Sequence, residues 1–119
     1  MRPTILADHM IPVSDKTRDA IADALLRVRV STLSYPECHS CEVYLSLDAA
    51  RVMFVQEWSD ADSLSEYLRT ETYRRILSLM ELADSEPKVR FHYVTKSSGM
   101  ELVVAACEKD QPVSPDTSA

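Results

Sequence analysis

The chain has 119 residues, with 13 lysines and arginines against 19 aspartates and glutamates, and its net charge at pH 7 is −6. This length is typical of one domain that buries its core without metal or disulfide support. Phosphate binding depends on clustered positive charge, and no basic stripe interleaved with aromatic residues occurs here, so a nucleic-acid partner is not expected. The apolar stretch before Asp8 is too short for a secretory signal or a membrane span. We therefore expect a cytoplasmic protein with no membrane partner.

The chain contains a single glycine, Gly99. Phosphate-binding loops need glycines so that the backbone can approach the anion closely, and the Walker and dinucleotide-binding loops are therefore both excluded. No cofactor held by such loops is expected. The three cysteines are an odd number in a chain that can fold unaided, and this favours reduced thiols over a disulfide framework.

The first half of the chain alternates between strand and helix patterns. Residues 4–13 read as a strand, and Ser14 and Asp15 form a cap for a helix that runs to about residue 34, where Pro36 ends it. Residues 41–47 and 51–58 then read as two strands joined by a turn at 48–50. These two strands are predicted to form a hairpin.

The second half begins with a helical stretch over about residues 61–83, which is expected to break near Thr70. Strands are predicted at residues 88–95 and 100–107, separated by a turn that contains Gly99. From residue 108 onward the polar composition cannot bury enough apolar area to order itself. The prediction is a folded domain over residues 1–107 and a disordered tail over 108–119.

The order β-α-β-β-α-β, with one further strand, predicts an α+β fold of the ferredoxin-like, split βαβ type. In the third strand Val52, Phe54 and Trp58 share one parity, while Met53 and Val55 occupy the other. A strand that is apolar on both parities is typical of a sheet covered on both faces. We expect a second copy of the chain to cover the second face, giving a homodimer in which the 100–107 strand pairs with the partner.

Trp58, the only tryptophan, lies where the third strand meets the next helix. One interpretation is an aromatic wall against a flat substrate ring, because ligand sites are mostly apolar clefts with few polar groups. The alternative is a large core residue at a strand end. Glu57 has the opposite parity, so the two side chains are expected on opposite faces of the sheet.

His92 and His9 are the candidate general bases, because histidine titrates closest to neutral pH. The sequence does not determine which face of the sheet either one takes. For each, an ordinary hydrogen-bonded or exposed histidine is the alternative. Tyr67 and Tyr73 could each offer a phenol to a substrate oxygen, but at a spacing of six on the second helical stretch they are not expected to share one face well. A tyrosine that packs its ring and exposes its hydroxyl is the alternative for both.

The sequence Cys38-His39-Ser40-Cys41 invites a redox or zinc interpretation. Three extended residues span about 10 Å, beyond the roughly 7 Å limit between the Cα atoms of a disulfide, unless a turn brings the two cysteines together. The pair does not open a helix, where a redox thiol would have a lowered pKa. Zinc needs about four ligands, and no second closely spaced pair follows, since Cys107 lies alone far downstream. No metal is therefore expected.

Four stretches resemble the antibiotic biosynthesis monooxygenase family, in particular its quinol-monooxygenase-like members. They are YPEC at residues 35–38, FVQEWSDADSL at 54–64, YLRT at 67–70 and PKVRF at 87–91. The resemblance extends over roughly residues 6–95. It implies a dimeric α+β barrel with a pocket between the sheet and the helices of each protomer. It also implies oxidation of quinols or anthrones by dioxygen without a cofactor, whereas related proteins degrade haem.

Two positions depart from the family pattern. Many members have a histidine on the helix after the Glu-Trp pair, where this chain has Tyr67. The haem-degrading relatives have an iron-binding histidine at the position that matches Leu77, which disfavours haem degradation. Asp8 lies near the place where relatives have an active-site amide, and is a further substrate-binding candidate.

The leading hypothesis is a cofactor-independent monooxygenase acting on a quinol, phenolic or anthrone-like ring. In it His92 or His9 removes a proton from the substrate, and Trp58, Tyr67, Tyr73 and Asp8 bind the substrate. The alternative is a dimeric module of the same fold that binds a small aromatic molecule without turnover. A haem-binding relative is the third hypothesis.

Overall fold

The computed structural model describes residues 3–109 of the chain. The elements, in chain order, are β1 (Thr4–Pro12), α1 (Arg18–Thr32), β2 (Cys38–Leu45), β3 (Arg51–Trp58), α2 (Ala61–Tyr67), α3 (Glu71–Met80), β4 (Lys88–Val94) and α4 (Met100–Glu108). The predicted ferredoxin-like α+β fold is confirmed, and the bounds of β3 agree with the prediction. The structure contains one protomer, so the dimer stays a prediction.

The four strands form one sheet in the order β2-β3-β1-β4. Every neighbouring pair is antiparallel, with β1 in the middle between β3 and β4. Ile5 pairs with Trp58 on one side, and Ala7 pairs with Phe91 on the other. Since directly paired residues share a face, this register fixes which side chains can meet.

Helices α1, α2 and α3 cover one face of the sheet, which we call the helix face. Its core comprises alternate residues of the central strands and the inner side of α1 and α3: Ile5, Ala7, His9, Ile11, Val52, Phe54, Gln56, Trp58, Ile21, Leu25, Val28 and Ile76 are all buried. Each large apolar side chain buried in this way contributes roughly 1.5–3 kcal/mol to folding. The opposite face, here the open face, carries Met53 and Val55, which are only partly buried.

The predicted break at Thr70 is confirmed. Thr70 has an extended backbone (φ −84°, ψ 162°), and its hydroxyl oxygen accepts a hydrogen bond from the amide of Tyr73 at 3.3 Å. The same hydroxyl donates to the carbonyl of Tyr67 at 2.6 Å. This N-cap starts a new helix direction. As a result Tyr67 and Tyr73 lie on two different helices, and both are buried. Their rings therefore meet, 5.6 Å apart, although a spacing of six does not place two residues on one face of a straight helix.

The strand predicted at residues 100–107 is wrong, since this segment is helix α4. Met, Leu, Glu and Ala are good helix formers, and the Glu101 carboxylate accepts a hydrogen bond from the amide of Gly99 at 2.8 Å. Val103 and Val104 favour a strand, but a strand in a single chain here would leave its backbone groups without partners in a sheet. The fifth strand of the predicted fold is therefore absent from residues 3–109.

The predicted boundary at residue 107 cuts the last residue from α4, which ends at Glu108. Of the predicted disordered tail, residues 110–119 lie outside the described part of the chain. No helix within residues 3–109 is long and apolar enough to cross a membrane.

Candidate functional site

An aromatic cluster lies between the helix face of the sheet and helices α2 and α3. The Trp58 ring is 4.8 Å from the Tyr67 ring, centroid to centroid, and the Tyr67 ring is 5.6 Å from that of Tyr73. Tyr35, in the turn before β2, lies 5.9 Å from Trp58 and 5.3 Å from Tyr67. These separations are typical of tilted and edge-to-face aromatic pairs. The structure thus brings together three of the predicted site residues, Trp58, Tyr67 and Tyr73.

A chain of hydrogen bonds orders the inner part of this cluster. The Trp58 indole donates to Gln56 Oε1 at 2.9 Å, and Gln56 Nε2 donates to the Tyr67 hydroxyl at 3.1 Å. The Tyr67 hydroxyl lies 2.7 Å from Thr32 Oγ1, which itself donates to the carbonyl of Val28 at 3.0 Å. Because the single Thr32 proton is used on that carbonyl, Tyr67 donates to Thr32. Each of the four side chains, Trp58, Gln56, Tyr67 and Thr32, therefore has a hydrogen-bond partner.

Tyr67 is fully buried in this arrangement, and burial raises the pKa of its phenol well above the usual range. The hydrogen bonds that Tyr67 makes with Thr32 and Gln56 lower this pKa, but they are the smaller effect. The alternative interpretation of Tyr67, a packed ring with a solvent-exposed hydroxyl, does not hold, because the hydroxyl is buried as well. The phenol stays neutral and acts as a hydrogen-bond donor and acceptor.

His9 lies on the helix face next to this cluster and is fully buried. Its Nδ1 lies 3.2 Å from the carbonyl oxygen of Phe54, and its Nε2 lies 2.9 Å from the Tyr73 hydroxyl. A carbonyl can only accept, so Nδ1 carries the proton. The Nε2 lone pair of the neutral ring then accepts from Tyr73. Burial lowers the pKa of His9 below its usual 6.5, against smaller opposing contributions from the Phe54 carbonyl and the Asp8 charge.

Tyr73 is the other member of this pair and is 6% exposed. Burial raises the pKa of its phenol, so Tyr73 is protonated at neutral pH and its proton points at His9. A neutral histidine can accept the proton of a phenol that is hydrogen-bonded to it. The phenol oxygen can at the same time accept a proton from a third group. In this pair His9 is therefore placed to act as a general base, with Tyr73 relaying the proton to it.

His92 and Asp8 lie on the open face, across the sheet from Trp58. His92 Nε2 is 3.1 Å from Asp8 Oδ2, and the side chain of His92 is 46% exposed. The register shows the reason, since His92 pairs with Leu6 and Asp8 pairs with Val55, all on the parity opposite to His9. These two candidates meet each other but not the aromatic cluster.

A cavity of about 140 Å³ lies beside His9, between α2 and β4. Its lining comprises Ala61, Leu64, Ser65, Leu68, Phe91 and Tyr93. The Phe91 ring stands edge-on to the His9 ring with centroids 6.5 Å apart, so one side chain separates the cavity from the histidine. Trp58, Tyr67 and Tyr73 do not line this cavity, so the aromatic cluster lies behind its wall.

The two cysteines of the Cys38-His39-Ser40-Cys41 stretch are free and buried. Burial raises the pKa of Cys38 to about 11 and that of Cys41 to about 12. Thiols with such pKa values are poor nucleophiles and poor metal ligands near neutral pH. Within residues 3–109, no three His, Cys, Asp or Glu side chains are grouped closely enough to hold a metal ion.

Sequence reasoning missed Gln56, Thr32 and Phe91. Gln56 has the same parity as Phe54 and Trp58, and a polar residue between two buried aromatic residues on one parity is a usable signal for a buried hydrogen bond. Thr32 sits at the end of α1 and Phe91 on an edge strand. Neither position has a comparable signal in the sequence.

Comparison with known proteins agrees with this architecture. Residues 4–78 match the model of a family described as Antibiotic biosynthesis monooxygenase. A search of curated protein sequences finds no significant match. Among solved structures, a conserved protein from Bacteroides thetaiotaomicron described as a possible oxidoreductase matches with a TM-score of 0.71 and 18% identity, over 78% of this chain and 99% of that one.

Two further structures are similar. A proposed antibiotic biosynthesis monooxygenase from Deinococcus radiodurans matches with a TM-score of 0.71 and 12% identity, over 80% of this chain and 96% of that one. A protein from Mycobacterium tuberculosis matches with a TM-score of 0.72 and 15% identity, over 81% of this chain and 99% of that one. At these identities the likeness concerns the fold, which agrees with the α+β arrangement of the described residues.

Proposed function

This chain belongs to the antibiotic biosynthesis monooxygenase family, and from that premise we propose that it oxidises a quinol, phenolic or anthrone-like ring with dioxygen and without a cofactor. The family resemblance inferred from the sequence is thereby confirmed, while the substrate class is the proposal. The single observation that supports it most is the buried hydrogen bond of 2.9 Å between His9 and Tyr73.

In the proposed reaction the substrate hydroxyl, or the acidic CH₂ of an anthrone, gives its proton to the Tyr73 oxygen as Tyr73 passes its own proton to His9 Nε2. Of the two candidate bases we assign the role to His9, because it shares the helix face with the aromatic cluster. Its lowered pKa keeps the ring neutral and able to accept a proton at neutral pH. Tyr73 touches the substrate, and His9 receives the proton.

The resulting substrate anion is the reductant. It transfers electrons to dioxygen, one oxygen atom forms a bond to a ring carbon, and the other leaves as water. A quinol thus becomes a hydroxyquinone plus water, and an anthrone CH₂ becomes a carbonyl plus water. Both equations balance with one dioxygen and no external reductant.

The cavity of 140 Å³ beside His9 is the proposed entry to the site. Ligand pockets for molecules of this kind measure about 300–1,000 Å³. Binding of a two-ring substrate therefore requires Phe91 to rotate or α2 to move outward. In the pocket opened by that movement, Tyr67 would form the inner wall, with Trp58 packed behind it at a centroid distance of 4.8 Å.

The proposed cytoplasmic homodimer uses the open face. Arg51 and Lys88 lie at one end of this face and Glu57 at the other, and the face also carries the apolar side chains of Met53 and Val55. A two-fold axis through the face would bring the cations of one copy to the carboxylate of the other. In this arrangement Asp8 and His92 belong to the dimer face and not to the substrate site.

Oxygen uptake with menadiol and anthrone tests the proposed activity. We expect enzyme-dependent uptake that falls about 10²–10⁴-fold in Tyr73→Phe and in His9→Gln, because each removes the proton acceptor. His92→Gln is the matched control and should keep nearly full activity. Uptake that is absent in the native protein, or that survives both substitutions, overturns the proposal.

A second candidate is a binding module without turnover. It is favoured by the complete pairing of the Trp58, Gln56, Tyr67 and Thr32 groups, which stabilises the cluster with no substrate present. Trp58 is the only tryptophan, so its fluorescence reports on the cluster directly. Quenching by menadione at micromolar concentrations with no oxygen uptake from menadiol would support this candidate over the enzyme.

A further inference from the structure

Another cavity lies on the outer surface of the domain, between helices α1 and α3, and we call it the α1–α3 crevice. Its volume is about 440 Å³, and it shares no lining residue with the cavity beside His9. The side chains that line it recur at spacings of three and four on each helix, so each helix contributes one face. Three of them are apolar and three are arginines: Ala24, Val28 and Leu79, and Arg27, Arg74 and Arg75.

The crevice is positively charged, although the chain as a whole has a net charge of −6. Arg74 Nη1 lies 2.8 Å from Glu71 Oε1, and Glu71 is the one carboxylate among the described residues that lines the crevice. Within residues 3–109, no hydrogen bond or ion pair engages Arg27 or Arg75. Asp23 lies one turn before Arg27 on α1, but it neither pairs with Arg27 nor lines the crevice. Three arginines and one glutamate leave the lining with a net charge of +2.

The floor of the crevice is apolar. Val28 is only 4% exposed, and Ala24 and Leu79 are partly buried. Guanidinium groups suit carboxylate and phosphate, because their planar N–H groups match two oxygens at once. A volume of about 440 Å³ lies within the range of 300–1,000 Å³ that is typical of ligand pockets. Cations beside an apolar floor therefore favour a ligand with an anionic end and an apolar body.

We propose that the α1–α3 crevice binds a small amphiphilic anion, with a phosphate or carboxylate end and an alkyl or aryl body. Arg27 from α1 and Arg75 from α3 hold the anionic end between the two helices. Ala24, Val28 and Leu79 contact the apolar body. The crevice lies on the side of the domain away from the open face, so the proposed dimer leaves it accessible. The binding does not depend on the proposed oxidation.

Calorimetric titration of the full-length protein with octyl phosphate, at low salt and below its micelle concentration, tests the anionic end. We expect one molecule to bind per chain, with an affinity about tenfold lower or less in Arg27→Gln and in Arg75→Gln, because each loses charge-assisted hydrogen bonds. Glu71→Gln frees Arg74 and should raise the affinity about twofold to fivefold. Arg69→Gln removes an exposed arginine outside the crevice, and as the matched control it should change the affinity by less than about twofold.

The apolar floor is tested without a change of charge. Ala24→Leu keeps a good helix former in α1 and places a larger side chain in the crevice. We expect it to lower the affinity for octyl phosphate at least about tenfold. Inorganic phosphate, which has no apolar body, and octanol, which has no charge, should each bind the native protein at least about tenfold more weakly than octyl phosphate. Urea unfolding of each variant checks that the fold is kept.

The outcomes distinguish this site from its alternatives. Absence of octyl phosphate binding, or binding that Arg27→Gln and Arg75→Gln both leave unchanged, overturns the proposal. Equal affinity for inorganic phosphate means a site for the free anion and overturns the amphiphilic ligand. Cosedimentation with phosphatidylglycerol vesicles, without binding of soluble octyl phosphate, means that the arginines face a membrane surface and also overturns the proposal. Oxygen uptake from menadiol decides the proposed activity separately and should be unchanged in Arg27→Gln.

Discussion

The two faces of the sheet place their histidines in opposite environments. On the helix face His9 is fully buried, holds its ring between the Phe54 carbonyl and the Tyr73 phenol, and has a pKa lowered by burial. On the open face His92 is half exposed and lies 3.1 Å from the Asp8 carboxylate. The same residue type is thus a buried, neutral hydrogen-bond acceptor on one face and a solvent-exposed partner of a carboxylate on the other. The lesson is that the face, and not the residue type, determines which chemistry a histidine can perform.

The largest expected change in stability comes from removing the Trp58 side chain at the centre of the helix face. Trp58→Ala leaves a cavity below the rings of Tyr35 and Tyr67 and deprives Gln56 of its indole partner. We expect it to lower the free energy of unfolding by about 3–5 kcal/mol. Urea unfolding at fixed protein concentration measures this. The matched control is Leu47→Ala in the exposed β2–β3 turn, which should change stability by less than about 0.5 kcal/mol. Similar losses in the two variants would contradict a core role for Trp58.

A smaller effect tests the hydrogen-bond chain alone. Tyr67→Phe keeps the ring but removes the oxygen that joins Gln56 to Thr32. We expect a loss of about 1–3 kcal/mol in urea unfolding, because the buried Gln56 Nε2 group is left unpaired. Tyr44→Phe, whose side chain is largely exposed on the open face, is the control and should be close to neutral. A neutral Tyr67→Phe would mean that water or a rearrangement replaces the missing partner.

The smallest expected effect is on the pH dependence of stability, which should differ between substitutions of the buried His9 and the exposed His92. Because the folded pKa of His9 lies below 6.5, the unfolded chain binds the His9 proton first as the pH falls, and stability contributed by neutral His9 is lost below about pH 6.5. Unfolding free energies measured from about pH 7.5 down to about pH 5 should therefore fall more steeply in the native protein than in His9→Gln. Parallel pH profiles for these two proteins would contradict the buried neutral His9. The exposed His92→Gln variant should keep the steeper native slope.

The features of the site that depend on a few neighbouring residues could be predicted from the sequence, and those that depend on packing between elements could not. The cap at Thr70 and the parity of Val52, Phe54 and Trp58 are local features, and both were predicted. The partnership of Tyr67 with Tyr73 was not, because it depends on the angle between α2 and α3 after the cap, which no spacing rule contains. The 100–107 segment was misassigned because valines at 103 and 104 favour a strand, while the choice between strand and helix depends on whether a sheet edge is available.

The sequence alone determined the ferredoxin-like α+β order, the family, the end of β3 at Trp58 and the lack of glycine-rich cofactor loops. These properties follow from hydrophobic periodicity, from capping residues and from glycine content, which act over a few residues each. Only the tertiary structure decided that His9 and not His92 meets the aromatic cluster. That outcome depends on the register between β1, β3 and β4, and a shift of one residue would have exchanged the two faces and the environments of both histidines.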